Sequence, residues 1–384
     1  MPSLPPRRSV RIAVALLGLL LTTATAGCAG QSGSAATPPP VPTTAASVAP
    51  SPVSQVRFPW TPGKPQLGIQ VYWSDTTADS ASTVRLKAAR MVSYVRSLDA
   101  NSITISFPLF TTGPDADSVF GNSTTPSPTR LDSVVRIAQA AGLRITLRPT
   151  LDEASLVAAS ANDWRGNIEP ASPSAWFASY SAFLTPYLEL AQRDGVQTFV
   201  VGTELTSLQH DSGWSSVVSS AKSLYQGELT YAANWDSYVE DSIPIPVARI
   251  GVDAYPPLKN LGDNATVDQL VAGWNAWLDQ KTTGSLPNAL FYEVDAPAVD
   301  GAYGEPATYG YSGQRNYQVQ VNWFKAACTV ARQRDLSGLY WWRYDFQQDP
   351  ATADPAHDRS DSWIGRPAAQ TIKQCFDSWA AADY

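Results

Sequence analysis

The chain has 384 residues, of which 44% are hydrophobic, so it can bury the core of one large domain or of two smaller ones. Its formal net charge is −7, and the 34 Asp and Glu residues outnumber the 27 Lys and Arg residues. This acidic balance argues against nucleic acid or another polyanion as a partner.

The first 27 residues have the three parts of an export signal. Three arginines precede an apolar run over residues 12–21, which is too short to span a membrane, and small residues follow. Residues 25–28 read Thr-Ala-Gly-Cys, which resembles the lipobox of bacterial lipoproteins. That resemblance implies cleavage before Cys28 and lipidation of its thiol, which would anchor the protein to the outer face of the bacterial cell membrane. A plainly cleaved signal and a secreted protein are the alternative.

Residues 28–56 have the composition of a linker. Ala, Pro, Ser, Thr and Gly dominate this segment, and residues 29–55 carry no charge. A chain of this composition cannot bury enough apolar surface to fold, so we predict a disordered tether. It would connect Cys28 to one folded domain over residues 57–384.

From residue 57 onward, short apolar runs alternate with segments of helical periodicity, a pattern that predicts parallel β/α units. Apolar, β-branched runs of this kind are typical of strands covered by helices on both faces. The predicted strands cover residues 67–72, 102–107, 143–148, 198–204, 229–233, 249–255, 289–293 and 338–343. Eight such units predict an α/β fold, a (β/α)8 TIM barrel with a single catalytic domain.

Two of the predicted strands end in glutamates, Glu204 and Glu293. In a barrel of this type the catalytic groups lie at the C-terminal ends of the strands, so these two carboxyl groups are expected to face each other across a substrate. Polar and aromatic residues at the same ends are predicted to bind that substrate: Tyr72, Arg148, Trp164, Asn234, Trp235, Asp253, Tyr255, Trp341 and Trp342.

This set of side chains fits the cleavage of a glycosidic bond. That reaction uses one protonated carboxyl group, one ionised carboxylate and aromatic rings that cover the sugar faces, and the chain has 13 Trp and 16 Tyr residues. We expect a polysaccharide or oligosaccharide substrate and no cofactor. We also expect no metal, because the two histidines are isolated in the sequence. A G-x-S-x-G elbow and a P-loop are both lacking.

Several short segments, taken in their order and spacing, resemble the clan A glycoside hydrolases and within them family 113, the β-mannanase group. The segments are Leu-Arg-Pro at 147–149, Trp-Arg-Gly at 164–166, Val-Gly-Thr-Glu-Leu at 201–205, Thr-Tyr-Ala-Ala-Asn-Trp at 230–235 and Ile-Gly-Val-Asp-Ala-Tyr-Pro at 250–256. The resemblance implies an endo-acting β-1,4-mannanase with a retaining mechanism. It also implies that Glu204 is the acid/base, that Glu293 is the nucleophile and that Tyr255 hydrogen-bonds the nucleophile.

The loop after Glu293 departs from that family. It reads Val-Asp-Ala-Pro at residues 294–297, where the family tends to carry Ile-Gly-Tyr. The substrate-facing wall is therefore expected to differ, and another cell-wall or surface β-glycan is the alternative substrate. A carbohydrate-binding barrel without activity is the alternative function, although two facing glutamates disfavour it.

Four of the predicted site residues have alternative interpretations. Arg148 either neutralises and orients Glu293 or pairs with Asp152. Side chains alternate along a strand, so only one of Trp341 and Trp342 is expected to point into the barrel. Asp253 is interpreted as a hydrogen-bonding residue at a strand end rather than as a third catalytic acid.

Two cysteines, Cys328 and Cys375, remain after the export signal. In an exported chain the simplest expectation is that they pair in a disulfide, which here would join the helix after the seventh strand to the C-terminal helix. We expect the protein to be a monomer.

Overall fold

The structure is a computed structural model that describes residues 54–383, apart from residues 161, 241, 282–288, 309–311 and 359. The predicted signal segment at 1–27, the predicted lipidation site Cys28 and the linker up to residue 53 lie outside the described residues. Within the described part of the chain, no helix has both the length and the apolar character needed to cross a bilayer.

Eight parallel strands close into a barrel in chain order, with β1 paired to both β2 and β8. This confirms the predicted (β/α)8 architecture. The strands are β1 (Gln66–Tyr72), β2 (Ser102–Leu109), β3 (Arg144–Leu151), β4 (Thr198–Thr203), β5 (Glu228–Asn234), β6 (Arg249–Asp253), β7 (Phe291–Val294) and β8 (Gly338–Asp345).

Helices surround the barrel and cover the outward side chains of the strands. They are α1 (Ala81–Ser97), α2 (Pro128–Ala140), α3 (Ala154–Ala159), α4 (Pro173–Arg193), α5 (Gly213–Leu224), α6 (Trp235–Glu240), α7 (Val267–Leu278), α8 (Tyr317–Gln333) and α9 (Pro367–Asp383). The two shortest, α3 and α6, were not predicted as helices, because six residues are too few for a helical period to show. Both begin within a few residues of a strand end, at the side of the barrel where the strands finish.

Two large tyrosine rings fill part of the barrel interior. Tyr292 of β7 and Tyr340 of β8 lie with ring centroids 6.1 Å apart. A Cβ atom on Gly68 would lie 2.1 Å from the Tyr340 ring, and one on Gly251 would lie 2.4 Å from the Tyr292 ring. These two glycines therefore leave the space that the rings occupy, and the interior is a packed core below the cavity described next.

The predicted disulfide between Cys328 of α8 and Cys375 of α9 is confirmed, with the two Cα atoms 6.0 Å apart. The cysteines are separated by 47 residues in the sequence. A cross-link over a loop of this length stabilises the fold by about 3 to 4 kcal/mol, in the account that assigns the effect to the unfolded chain.

Among the described residues, contacts with the folded domain are already present at Gln55, slightly before the predicted start at residue 57. The Gln55 amide donates to the Ala140 carbonyl at 2.8 Å, and the Val56 N–H donates to the Ala141 carbonyl at 2.9 Å. Val56 is also buried in the core. These contacts fix the chain beside the C-terminal end of α2, next to the start of β3.

Candidate active site

A cavity of about 590 Å³ lies at the C-terminal ends of the strands. Its size is in the range of pockets that bury a small ligand. The cavity brings together residues that are far apart in the sequence, since seven of the eight strands or the loops after them contribute to its wall. Eight of the predicted site residues line it: Tyr72, Trp164, Glu204, Asn234, Trp235, Tyr255, Glu293 and Trp342.

Glu204 follows the last residue of β4 and has an unusual backbone conformation. Its φ of +51° lies in the left-handed region, which few residues other than glycine adopt and which is strained for them. The Glu204 N–H donates to the Ala232 carbonyl at 2.8 Å, and the next amide, of Leu205, donates to the Tyr231 hydroxyl at 2.9 Å. These bonds to β5 hold the sharp turn that places the carboxyl group in the cavity.

The Glu204 carboxyl group is buried beside Arg165. Arg165 Nη1 lies 2.7 Å from Glu204 Oε2. Burial raises the pKa of Glu204 to about 7; the positive charge of Arg165 opposes this rise, and the negative charge of Glu293 adds to it. At neutral pH a substantial fraction of Glu204 therefore carries a proton that it can donate.

Arg165 was not predicted to be a site residue, although it lies in the Trp-Arg-Gly segment at residues 164–166. Its Nε donates to the Leu151 carbonyl at 2.8 Å, and its Nη2 lies 3.2 Å from Glu153 Oε1. These contacts hold the guanidinium group against Glu204. In the sequence, Arg165 is a single arginine between a tryptophan and a glycine. This segment does not show which acidic residue the arginine contacts.

Glu293, in β7, is held by a cation and a phenol. Arg148 Nη1 lies 2.8 Å from Glu293 Oε1, and the Tyr255 hydroxyl donates to Oε2 at 2.9 Å. Both oxygens of the carboxyl group are therefore oriented. The structure thus selects between the two alternatives for Arg148, which pairs with Glu293, whereas Asp152 accepts a hydrogen bond from Tyr72 at 3.4 Å.

Arg148 and Asp253, which were predicted to bind substrate, lie beneath the cavity and do not line its wall. Both side chains are fully buried, and Arg148 Nη2 donates to Asp253 Oδ2 at 2.6 Å. Burial by itself lowers the pKa of Arg148, but the nearby charges of Asp253, Glu293 and Glu204 more than offset this and raise it. Arg148 is therefore a buried cation that supports Glu293 from below.

Trp341 is also placed differently from the prediction. Its side chain is fully buried on the outer face of β8, where its ring stacks on Phe324 of α8 at 4.5 Å. Its neighbour Trp342 points the other way and lines the cavity. As strand alternation requires, only one of the two rings can contact a substrate.

The cavity wall is rich in acidic groups. Two arginines line it, Arg165 and Arg343, and Arg343 Nη1 lies 3.2 Å from Asp361 Oδ2. The acidic residues in the wall are Asp152, Glu153, Glu204, Glu293, Asp295 and Asp361. A polyanionic ligand would therefore be repelled, whereas a neutral one would not.

The sequence model of Glycoside Hydrolase Family 113 matches residues 76–363. The chain belongs to glycoside hydrolase family 113. This membership confirms the resemblance seen in the sequence and shows that the protein is a glycoside hydrolase. It also argues against the alternative of a binding barrel without activity.

Two solved structures of family 113 enzymes are similar to this chain. The GH113 β-mannanase AaManA from Alicyclobacillus acidocaldarius is 21% identical, with a TM-score of 0.67, and the match covers 82% of this chain and 98% of that one. A second structure, titled a GH113 β-1,4-mannanase, is 18% identical, with a TM-score of 0.68, and covers 82% and 99%. At these identities the likeness shows the shared barrel fold. A comparison with curated protein sequences finds no match.

Proposed function

We propose that this family 113 member is an endo-acting, retaining β-1,4-mannanase in which Glu204 is the general acid/base and Glu293 is the nucleophile. The observation that carries the proposal is the contrast between two carboxyl groups in one cavity. Burial raises the pKa of Glu204 in spite of its contact with Arg165, whereas Glu293 is held at both oxygens, by Arg148 and by Tyr255. Glycosidases use such a contrast to keep one carboxyl group protonated and the other ionised.

In the first step, a Glu293 carboxylate oxygen attacks the anomeric carbon while Glu204 donates its proton to the departing glycosidic oxygen. The glycosidic bond breaks, and a glycosyl ester of Glu293 forms. In the second step, the Glu204 carboxylate takes a proton from water, whose oxygen attacks the same carbon and releases Glu293. Two inversions give net retention of the anomeric configuration.

Two observations support mannan as the substrate. The similar solved structures are titled β-mannanases, and mannan is a neutral polymer that suits the acidic cavity. Asp295 lines the cavity from the loop after β7, where the chain departs from the family pattern. Because the substrate-facing wall differs there, another neutral β-glycan is the second candidate.

We further propose that the enzyme acts as a monomer, tethered by a lipid on Cys28 to the outer face of the cell membrane. The Thr-Ala-Gly-Cys sequence at residues 25–28 supports this location, and the disulfide fits an oxidising compartment. Incorporation of a labelled fatty acid by the cells, lost in Cys28→Ser, tests the anchor. Persistence of the label in that variant would refute it.

Hydrolysis by the mature chain of β-1,4-mannan, glucomannan, cellulose and xylan, each supplied separately, tests the proposed function. We expect mannan to be cut fastest and to give mixed oligosaccharides early, as internal cleavage requires. Proton NMR of the first product should show the retained β-anomer, because the proposed double displacement inverts the anomeric carbon twice. Early release of the α-anomer would remove Glu293 from its role as nucleophile.

We expect kcat/KM on mannan to fall as pH rises through about 7. The pKa of Glu204 is raised to about 7, so above this pH the acid loses the proton that the first step consumes. An aryl mannoside with an acidic phenol needs no such proton, so its kcat/KM serves as the control and should stay flat over this range. Since Arg165 lowers the pKa of Glu204, Arg165→Met should move the fall to higher pH. A fall at unchanged pH in that variant would contradict the assignment.

A further inference from the structure

Asp295 is a cavity residue that the proposed mechanism does not use. It lies directly after β7, two residues beyond Glu293, and lines the cavity while being only 1% exposed. Among the described residues, no side chain hydrogen-bonds either of its carboxyl oxygens, and the adjacent Ala296 amide is the backbone group that acts on them. A buried polar group without a partner is costly, so this side chain has hydrogen-bonding capacity that a bound molecule could fill.

The two arginines whose charges act on Asp295 are each also paired with another acid. Arg343 lies 3.2 Å from Asp361, and Arg366 lies 3.3 Å from Asp358. Burial, and after it the charge of Asp361, raises the pKa of Asp295 well above its usual range, although the Ala296 amide and the two arginines oppose the rise. Burial therefore favours the neutral form of Asp295, a carboxylic acid with one hydroxyl donor and an accepting oxygen.

A neutral acid in this position selects for particular ligand chemistry. A sugar hydroxyl both donates and accepts, so one or two hydroxyls can satisfy both Asp295 oxygens. A uronic acid would bring a carboxylate into a wall whose other acidic residues outnumber its two arginines, and Arg165 and Arg343 are already paired.

We propose that Asp295 is a specificity-determining residue that hydrogen-bonds the hydroxyl groups of a neutral hexose bound beside Glu293. This proposal rests on the proposed function and names a substrate contact within that site. The Arg343–Asp361 pair and the ring of Trp342 also line this cavity. The cavity therefore offers a bound hexose both polar groups and an aromatic ring.

The test compares Asp295→Ala with Asp295→Asn, using β-1,4-mannohexaose as substrate. Asn keeps one donor and one acceptor in nearly the same shape, so kcat/KM should stay within about threefold of the wild-type value. Ala removes both groups, and kcat/KM should fall by about 10- to 100-fold. Asp279→Ala changes an exposed acid paired with Arg334 and serves as the control, with unchanged kcat/KM expected.

Monodeoxy mannosides separate a direct contact from a structural role. The loss caused by Asp295→Ala should disappear for the sugar that lacks the contacted hydroxyl and persist for the others. An equal loss on every deoxy sugar, or no loss at all, overturns the proposal. If the Ala variant does not fold, Asp295→Asn still decides, because a loss of 10-fold or more shows that an ionised carboxylate is required. Failure of the wild type to cut mannohexaose refutes mannan alone, and the comparison then uses the neutral glycan that it does cut.

Discussion

Glu204→Ala should lower kcat/KM on mannan by about 10²- to 10⁴-fold, the usual contribution of a general acid, while it largely spares an aryl mannoside. Sugar leaving groups are basic and need the Glu204 proton, whereas an acidic phenol departs without it. The variant should form the glycosyl ester on Glu293 and then stall, because no base activates water. Azide, a nucleophile that needs no base, should accelerate its turnover and give the β-mannosyl azide.

Glu293→Ala is the matched variant for this experiment. It lacks the attacking carboxylate, so it should be slow on the natural and on the activated substrate alike. Rescue by azide, if it occurs, should give the α-mannosyl azide by a single displacement. The reverse pattern, with Glu293→Ala active on the aryl mannoside and Glu204→Ala inactive on both, would exchange the two roles. Wild-type rates in both variants would place the chemistry elsewhere.

Arg148→Met should be the most destabilising single change at the site, costing about 3 to 5 kcal/mol of unfolding free energy. The reason is that Asp253 and Glu293 would lose the buried cation that lies 2.6 Å and 2.8 Å from them. Activity should also fall, because the carboxylate of Glu293 is no longer oriented. Urea denaturation followed by circular dichroism measures the first effect, and kcat/KM on an aryl mannoside measures the second.

Two further variants make this result specific. Asp253→Asn combined with Arg148→Met should recover part of the lost stability, because it removes one of the unpaired acids. Arg136→Met, at a side chain that is 60% exposed and paired with Asp132, should change the stability by less than about 1 kcal/mol. If Arg148→Met were as stable as the wild type, the buried ion pairs could not support the site as described.

The barrel could be predicted because each of its units carries a strong local signal. Apolar runs alternate with helical periodicity, and the residues at the strand ends follow from where those runs stop. Short elements such as α3 lack that signal. Strand boundaries were also shifted: β3 was predicted to end at Arg148, but it continues through Pro149 to Leu151, paired with β2. A proline in a strand is usually an end signal, and here the pairing with the neighbouring strand overrides it.

The partners within the site could not be predicted, because they depend on register and on loops. The sequence predicts Arg148 at a strand end, as it does several acidic residues. The pairing of Asp253 with Glu293 across β6 and β7 determines which of these acids Arg148 contacts. Arg165 approaches Glu204 from a loop 39 residues earlier in the chain. For Trp341 and Trp342, alternation predicted that one faces inward, but the choice depends on how β8 packs against α8.

The position of Gln55 and Val56 bears on how a substrate reaches the cavity. These residues are fixed beside the end of α2, where β3 begins, and the cavity lies where the strands finish. The described chain therefore starts at the face of the barrel opposite the opening of the cavity. A long polymer could lie across the catalytic face without meeting the residues at which the fold begins.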